Sequence, residues 1–218
     1  MRYSNLFEED LLVDHSDGAN KDFLKRMSIQ FANLIKKDCQ SFLNQWNSIE
    51  LYHGSRSTNK FTLIYKNKIR HDRRPSDSSK QHHNFYNNLF SKFGFATNRS
   101  NSIFCTGDLA MAKNYGEELV IFPIGNFNFL WSSKVKDMFN TFQDSWPNYY
   151  LDTDNYNGFQ HLITDWDKIE HDIKQSYTDQ NLSNAILSGN EVMISGTEYY
   201  AIDHLFYNKY LKQHLSFI

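Results

Sequence analysis

Between Asn20 and Trp46 the apolar residues Phe23, Leu24, Met27, Phe31, Leu34, Ile35, Phe42, Leu43 and Trp46 recur at helical spacing. That period predicts one long amphipathic helix, or two in series, lying on a core. Phe85, Tyr86, Leu89, Phe90 and Phe93 mark the buried face of a second helix, with Ser78 and Ser79 as candidate N-caps and Gly94 as its stop. Residues 102–106 read as a strand, and residues 108–115 as a short helix that Gly116 ends. Residues 119–124 are apolar throughout, as in a strand buried on both faces, whereas Phe127, Phe129 and Trp131 alternate as in a half-buried one.

Shorter signals fill the rest. Residues 50–52 begin a first strand that runs into a His53-Gly54 turn, and apolar residues follow at Phe61, Leu63, Ile64, Tyr65 and Ile69. The run Arg70-His71-Asp72-Arg73-Arg74-Pro75 is expected to be extended or turning, because Pro75 disfavours helix at the residue before it. Residues 134–144 and 165–177 look helical, joined by an Asn/Asp/Tyr-rich loop containing Trp146-Pro147. Residues 191–194 and 198–202, joined by Ser195-Gly196-Thr197, carry a hairpin signal. No internal repeat is present. The pattern predicts an α+β fold: an N-terminal helical extension over residues 1–47 and a core over 48–218, together one compact domain.

Composition narrows the chemistry. Lys and Arg number 23 against 25 Asp and Glu, a net charge of −2 that leaves no global footprint for nucleic acid. With 16% aromatic residues the chain has ample material for a core and does not read as disordered. Cys39 and Cys105 stand in no metal-ligand or redox spacing and suit a reducing compartment. The segment after Met1 lacks the apolar run of a signal peptide, and no stretch approaches the ~18 apolar residues of a membrane span. A cytoplasmic monomer with no membrane partner is the expectation. His82 and His83 are adjacent and would point apart on a helix, and with His71 they form no ligand spacing, so no metal is expected. Phosphate loops, dinucleotide fingerprints and nucleophile elbows are absent from the sequence.

Three segments carry the candidate chemistry: Leu51-Tyr52-His53-Gly54-Ser55-Arg56, Ser102-Ile103-Phe104-Cys105-Thr106 with Tyr115 beyond it, and Asn190-Glu191-Val192-Met193-Ile194. In order and rough spacing they resemble the NAD-binding core of the ADP-ribosyltransferases. His53-Gly54-Ser55-Arg56 followed by Thr58-Asn59 is similar to the first motif of the poly(ADP-ribose) polymerase branch, where other branches place Arg. The Glu191 segment and its following strand look most like bacterial and phage enzymes. The resemblance spans residues 50–206 through three short motifs.

It implies two facing antiparallel sheets around an NAD cleft. His53, Gly54 and Ser55 would hold the nicotinamide ribose and carboxamide. Ser102, Phe104 and Tyr115 would line the nicotinamide pocket, with Phe104 as the stacking ring in place of the Tyr usual in the His-type branch. Arg73 and Arg74, from the densest basic cluster, would contact the NAD phosphates, since a guanidinium fork matches phosphate oxygens. Arg56 and Arg99 are candidates of lower weight. Glu191 would be catalytic, with Glu198 as the alternative: a carboxylate stabilises the oxocarbenium that forms as the nicotinamide–ribose bond breaks.

The implied activity is mono-ADP-ribosyl transfer from NAD to a macromolecular acceptor, protein or nucleic acid, by a phage-like enzyme acting in the host cytoplasm. An NAD glycohydrolase and a non-catalytic interaction module are the rival readings. Arginine-directed relatives carry Glu or Gln two residues before the catalytic Glu. That position is Gly189 here, or Gly196 if Glu198 is the anchor, so arginine is expected to be a poor acceptor.

Overall fold

The computed structural model describes residues 18–46, 48–56, 63–74, 80–138 and 169–215. The sequence features at residues 1–17, Thr58-Asn59, Phe61, Pro75, Ser78-Ser79 and Trp146-Pro147 lie outside them. In chain order the elements are α1 (Gly18–Asp38), α2 (Gln40–Leu43), β1 (Tyr52–Ser55), β2 (Ile64–Lys68), α3 (Lys80–Lys92), β3 (Ser102–Thr106), α4 (Leu109–Lys113), β4 (Glu117–Ile124), β5 (Asn128–Ser132), β6 (Tyr177–Thr178), α5 (Leu182–Leu187), β7 (Glu191–Ser195), β8 (Glu198–Asp203) and α6 (His204–Phe206). Residues 169–176 are also helical, and α6 runs into a π-helical turn, Tyr207–Leu211. The fold is α+β. Among the described residues no helix is long and apolar enough to cross a membrane.

The chain divides into two compact units, one drawn from Met1–Lys68, Leu109–Phe127 and Gly196–Ile218, the other from Ile69–Asp108 and Asn128–Ser195. In the first, four strands lie in the order β2-β8-β4-β1, all antiparallel. The predicted helix is two in series, broken at Cys39, whose backbone N–H still bonds to the Ile35 carbonyl. Phe42 packs edge-on against Phe122 of β4, ring centroids 5.7 Å apart, so the helical face seals the sheet as its spacing predicted. Polar groups of the pair are satisfied locally: the Cys39 thiol donates to the Phe122 carbonyl, and the Tyr200 hydroxyl to Asp38.

In the second unit the strand order is β3-β7-β5-β6, again antiparallel. A core built on Phe90, Leu130, Met138, Ile173 and Met193 joins α3, the sheet and the 169–176 helix. Strand β5 is buried on both faces from Phe129 to Ser132, where alternation had suggested a half-buried strand. Its neighbours β7 and β6 fill both edges, and the helical residues cover the surface that alternation assigned to solvent.

Two local expectations change. His53 and Gly54 lie inside β1, paired to Leu119 and Glu118 of β4, and form no turn. Strands β7 and β8 do not pair as a hairpin: β3 and β5 flank β7, while β2 and β4 flank β8. Each strand's hydrogen-bonding edges are thus taken by partners distant in sequence, and the Ser195-Gly196-Thr197 link is a passage between two sheet segments.

Candidate functional site

Glu191 opens β7 and stands opposite Thr106 of β3. Its approach is pinned on both sides. Thr106 Oγ1 donates to the Gly189 carbonyl at 2.8 Å and accepts from the Asp108 N–H. Gly189 itself has φ +67°, the left-handed region that only glycine enters without strain. From the other side the Glu191 N–H donates to the Lys136 carbonyl at 2.8 Å, and the Asn190 side chain donates to the Ser132 carbonyl. These bonds fix the segment 132–137 beside the carboxylate and bring in Asp137, which is 6% exposed.

The side chain of Glu191 is 14% exposed, and its Oε1 is buried without a hydrogen-bond partner. The nearest cation among the described residues is Arg99, whose Nη1 lies 4.0 Å from that oxygen, within Coulomb reach but beyond hydrogen-bond length. Arg99 Nε is likewise buried and unpartnered, while Nη1 points its proton at the Met138 sulfur. Burial pushes the Glu191 carboxyl up to about 7; Arg99 and, less strongly, Arg73 pull it down, and Asp137 pushes it up. The group therefore changes charge near neutral pH, the property of a general base. Burial, with Glu191 as the next contribution, also holds the Tyr177 hydroxyl protonated well above its usual range.

Phe104 is the aromatic surface of the same unit. The guanidinium carbon of Arg73 lies 4.3 Å from its ring centroid and that of Arg99 4.9 Å, both in cation–π range. Arg73 is held by the backbone of residues 100–102: its N–H donates to the Ser100 carbonyl, and its side-chain Nη1 donates to the Ser102 carbonyl. The site thus gathers two guanidiniums, two carboxyl groups and one ring on the strands and loops of one unit.

The remaining sequence candidates fall elsewhere or have other work. Ser102 is buried, and its hydroxyl donates to the Asn98 carbonyl. Arg74 is exposed, as is Arg70, which pairs with Asp72. His53, Gly54, Ser55 and Tyr115 belong to the other unit. At Gly54 a Cβ would lie 2.0 Å from the Ala112 carbonyl oxygen, so α4 packs directly on the bare backbone of β1. Tyr115, just beyond α4, is among the exposed large side chains. Glu198 opens β8 in that unit too, with its side chain 32% exposed and in a 2.9 Å ion pair with Lys66.

Sequence reasoning passed over Asp137 and Tyr177 and considered His83 only as a metal ligand. Among the described residues no group of three or more His, Cys, Asp or Glu side chains is placed to hold a metal ion. Arg99 stood among the weaker candidates, yet it is the cation nearest Glu191 among the described residues. The polar cluster Asn98-Arg99-Ser100-Asn101-Ser102 just before a strand was the available signal, since short side chains that bond to backbone mark a tightly built loop. No protein-family model, curated protein or solved structure matches the chain.

Proposed function

We propose that the chain is an NAD-consuming mono-ADP-ribosyltransferase with Glu191 as its catalytic carboxylate. The observation that carries the reading is the state of that residue: a buried carboxyl with an orphaned oxygen, titrating at about 7, in the unit that also presents Phe104 and two guanidiniums. Glu198, half-buried and neutralised by Lys66, offers no comparable environment.

In this reaction the bond from ribose C1′ to the nicotinamide nitrogen breaks heterolytically. The electron pair stays on nicotinamide, which leaves neutral, so no general acid is required. Positive charge develops on the ribose, and the ionised Glu191 stabilises it in a water-poor setting where electrostatics are strong. A lone pair of the acceptor then bonds to C1′, and the proton it sheds passes to Glu191, whose affinity for it is matched to neutral pH. Phe104 supplies a flat face for the nicotinamide ring. Arg73 takes a pyrophosphate oxygen, exchanging its contact with the ring for a charge-assisted hydrogen bond.

Support for the wider frame is coarser. The reading calls for an ADP-ribosyltransferase-like core of two facing antiparallel sheets around an NAD cleft; what supports it is the α+β class and the antiparallel pairing of the strands within each unit. The ribose and carboxamide contacts assigned to His53, Gly54, Ser55 and Tyr115 rest on the sequence resemblance alone. The acceptor is a macromolecule, protein or nucleic acid. If water takes its place, the same groups make an NAD glycohydrolase.

The test is incubation of the chain with NAD and a cell lysate. Nicotinamide release together with ADP-ribose on a lysate macromolecule is the expected result. Release without labelling identifies the hydrolase, and no release from NAD at all contradicts both.

A further inference from the structure

Helix α3 meets the loop that carries Arg99 through two side chains one turn apart. Asn87 accepts the Arg99 backbone N–H on Oδ1 at 2.9 Å and donates from Nδ2 to the Ser100 hydroxyl at 2.7 Å. His83, four residues earlier and so on the same helical face, bonds through Nε2 to that same hydroxyl at 2.9 Å. The His83 ring also makes a hydrogen bond to the Arg73 backbone, and the Ser100 carbonyl receives the Arg73 N–H. Within the loop, Asn98 Oδ1 accepts the Ser100 N–H and Asn101 Oδ1 accepts the Asn98 N–H. His83 is 5% exposed. Every one of these bonds ends on the backbone or hydroxyl of the segments bearing Arg73 and Arg99, and none touches Glu191.

We propose that His83 and Asn87 are positioning residues: acting through Ser100, they hold Arg99 beside Glu191 and Arg73 against Phe104, and so set the charge of the carboxylate. A single hydroxyl with two side-chain partners ties both arginines to one helix. A neutral His83 completes the set, one ring nitrogen donating to the Arg73 carbonyl and the other accepting the Ser100 proton. Burial, then the charges of Arg99 and Arg73, hold it in that form by lowering its proton affinity. The charged and titratable groups that bear on Glu191 come from five segments: Arg99 and Arg73 from two loops, Asp137 from the segment after β5, Tyr177 from β6 and Cys105 from β3. Of these only the arginines are controlled by α3.

The residues involved belong to the site of the proposed transferase, but the test needs no NAD. Glutamate δ-carbons are labelled with ¹³C, Glu191 is assigned by its loss in Glu191→Gln, and its titration is followed by NMR in the full chain. In Asn87→Ala and in Ser100→Ala the midpoint is expected to rise by about 1 pH unit, because a cation within 4–6 Å lowers a carboxyl by at least that much. His83→Ala should raise it too, and His83→Gln, which keeps a polar group toward Ser100, should raise it less. Ser100→Ala deletes one hydroxyl and keeps the Arg73–Ser100 backbone bond, so it answers the question even if Asn87→Ala does not fold. An unchanged midpoint in folded Ser100→Ala overturns the proposal. A raised midpoint in a chain that consumes no NAD would defeat the transferase reading and uphold the positioning role.

Discussion

Arg99 and Glu191 face each other across 4.0 Å with the guanidinium Nε and the carboxylate Oε1 both buried and both without hydrogen-bond partners. A structural ion pair closes such a gap, because an unmet buried donor or acceptor costs about 1–3 kcal/mol. This pair stays open: burial pushes the carboxyl up to about 7, and Arg99 at this distance pulls it down only in part.

The first prediction concerns stability. The carboxyl of Glu191 titrates at about 7 in the fold against 4.5 for an ordinary glutamate, so folding favours its protonated form. Its contribution is fully present below pH 4.5 and is lost as pH rises through 7. The loss is of the order of 3 kcal/mol, since each tenfold change in proton affinity is worth about 1.36 kcal/mol. Glu191→Gln is therefore expected to be more stable than the parent chain at pH 8 and to show no such advantage at pH 4. Urea unfolding at the two pH values measures it, and a destabilised Gln variant at pH 8 would show that the carboxylate is held by bonds absent from the structure.

Activity should move the opposite way with pH. The proposed reaction would need the ionised carboxylate, so the rate of NAD cleavage is expected to rise through a midpoint near 7. Arg99→Met removes the strongest influence favouring ionisation and should carry that midpoint upward by about 1 pH unit. A pH–rate profile flat between 6 and 8 would remove Glu191 from the rate-determining chemistry.

The basic run separates into residues with different work. Arg73 is turned onto Phe104, whereas Arg74 is exposed. Arg73→Ala is expected to raise the KM for NAD about tenfold, the worth of one charge-assisted phosphate contact of ~1.4 kcal/mol. Arg74→Ala should leave it within about twofold, as for a surface charge. Steady-state kinetics on the two single variants decide this, and equal effects would mean that the phosphates lie outside the Arg73 side.

Gly54 gives a prediction independent of any reaction. A methyl group there meets the Ala112 carbonyl oxygen at 2.0 Å and the Tyr115 Cβ at 2.7 Å. Neither is the far end of a flexible chain, so β1 and α4 must separate. Gly54→Ala should cost about 1–3 kcal/mol by denaturant unfolding, the range for overpacking a fitted contact. A neutral substitution would show that α4 does not rest on this strand.

Local periodicity was enough to place α1, α3, β3 and the start of β7, since each carries its own apolar pattern and its own stop signal. It was not enough to pair strands. Residues 191–194 and 198–202 look like a hairpin from the turn between them, but register and partner are decided by long-range burial, which alternation does not encode. The site shows the same limit. Glu191 was singled out by the family resemblance and by an expected hairpin after it, a hairpin that β7 and β8 do not form. Arg99 and Asp137 lie in loops; the short polar side chains around Arg99 mark a tightly built loop, but they do not say that its charge is buried. Gly54 was legible as a point of close approach, yet what approaches in the structure is α4.

The most direct test of the account is nicotinamide release from NAD by three folded chains: the parent, Glu191→Gln and Glu198→Gln. Removing a charge that stabilises the transition state typically costs about 100-fold or more in kcat. The account predicts release by the parent, a loss of that size in Glu191→Gln, and near-parental release in Glu198→Gln. Parental turnover in Glu191→Gln, or a parent chain that releases no nicotinamide, would contradict it.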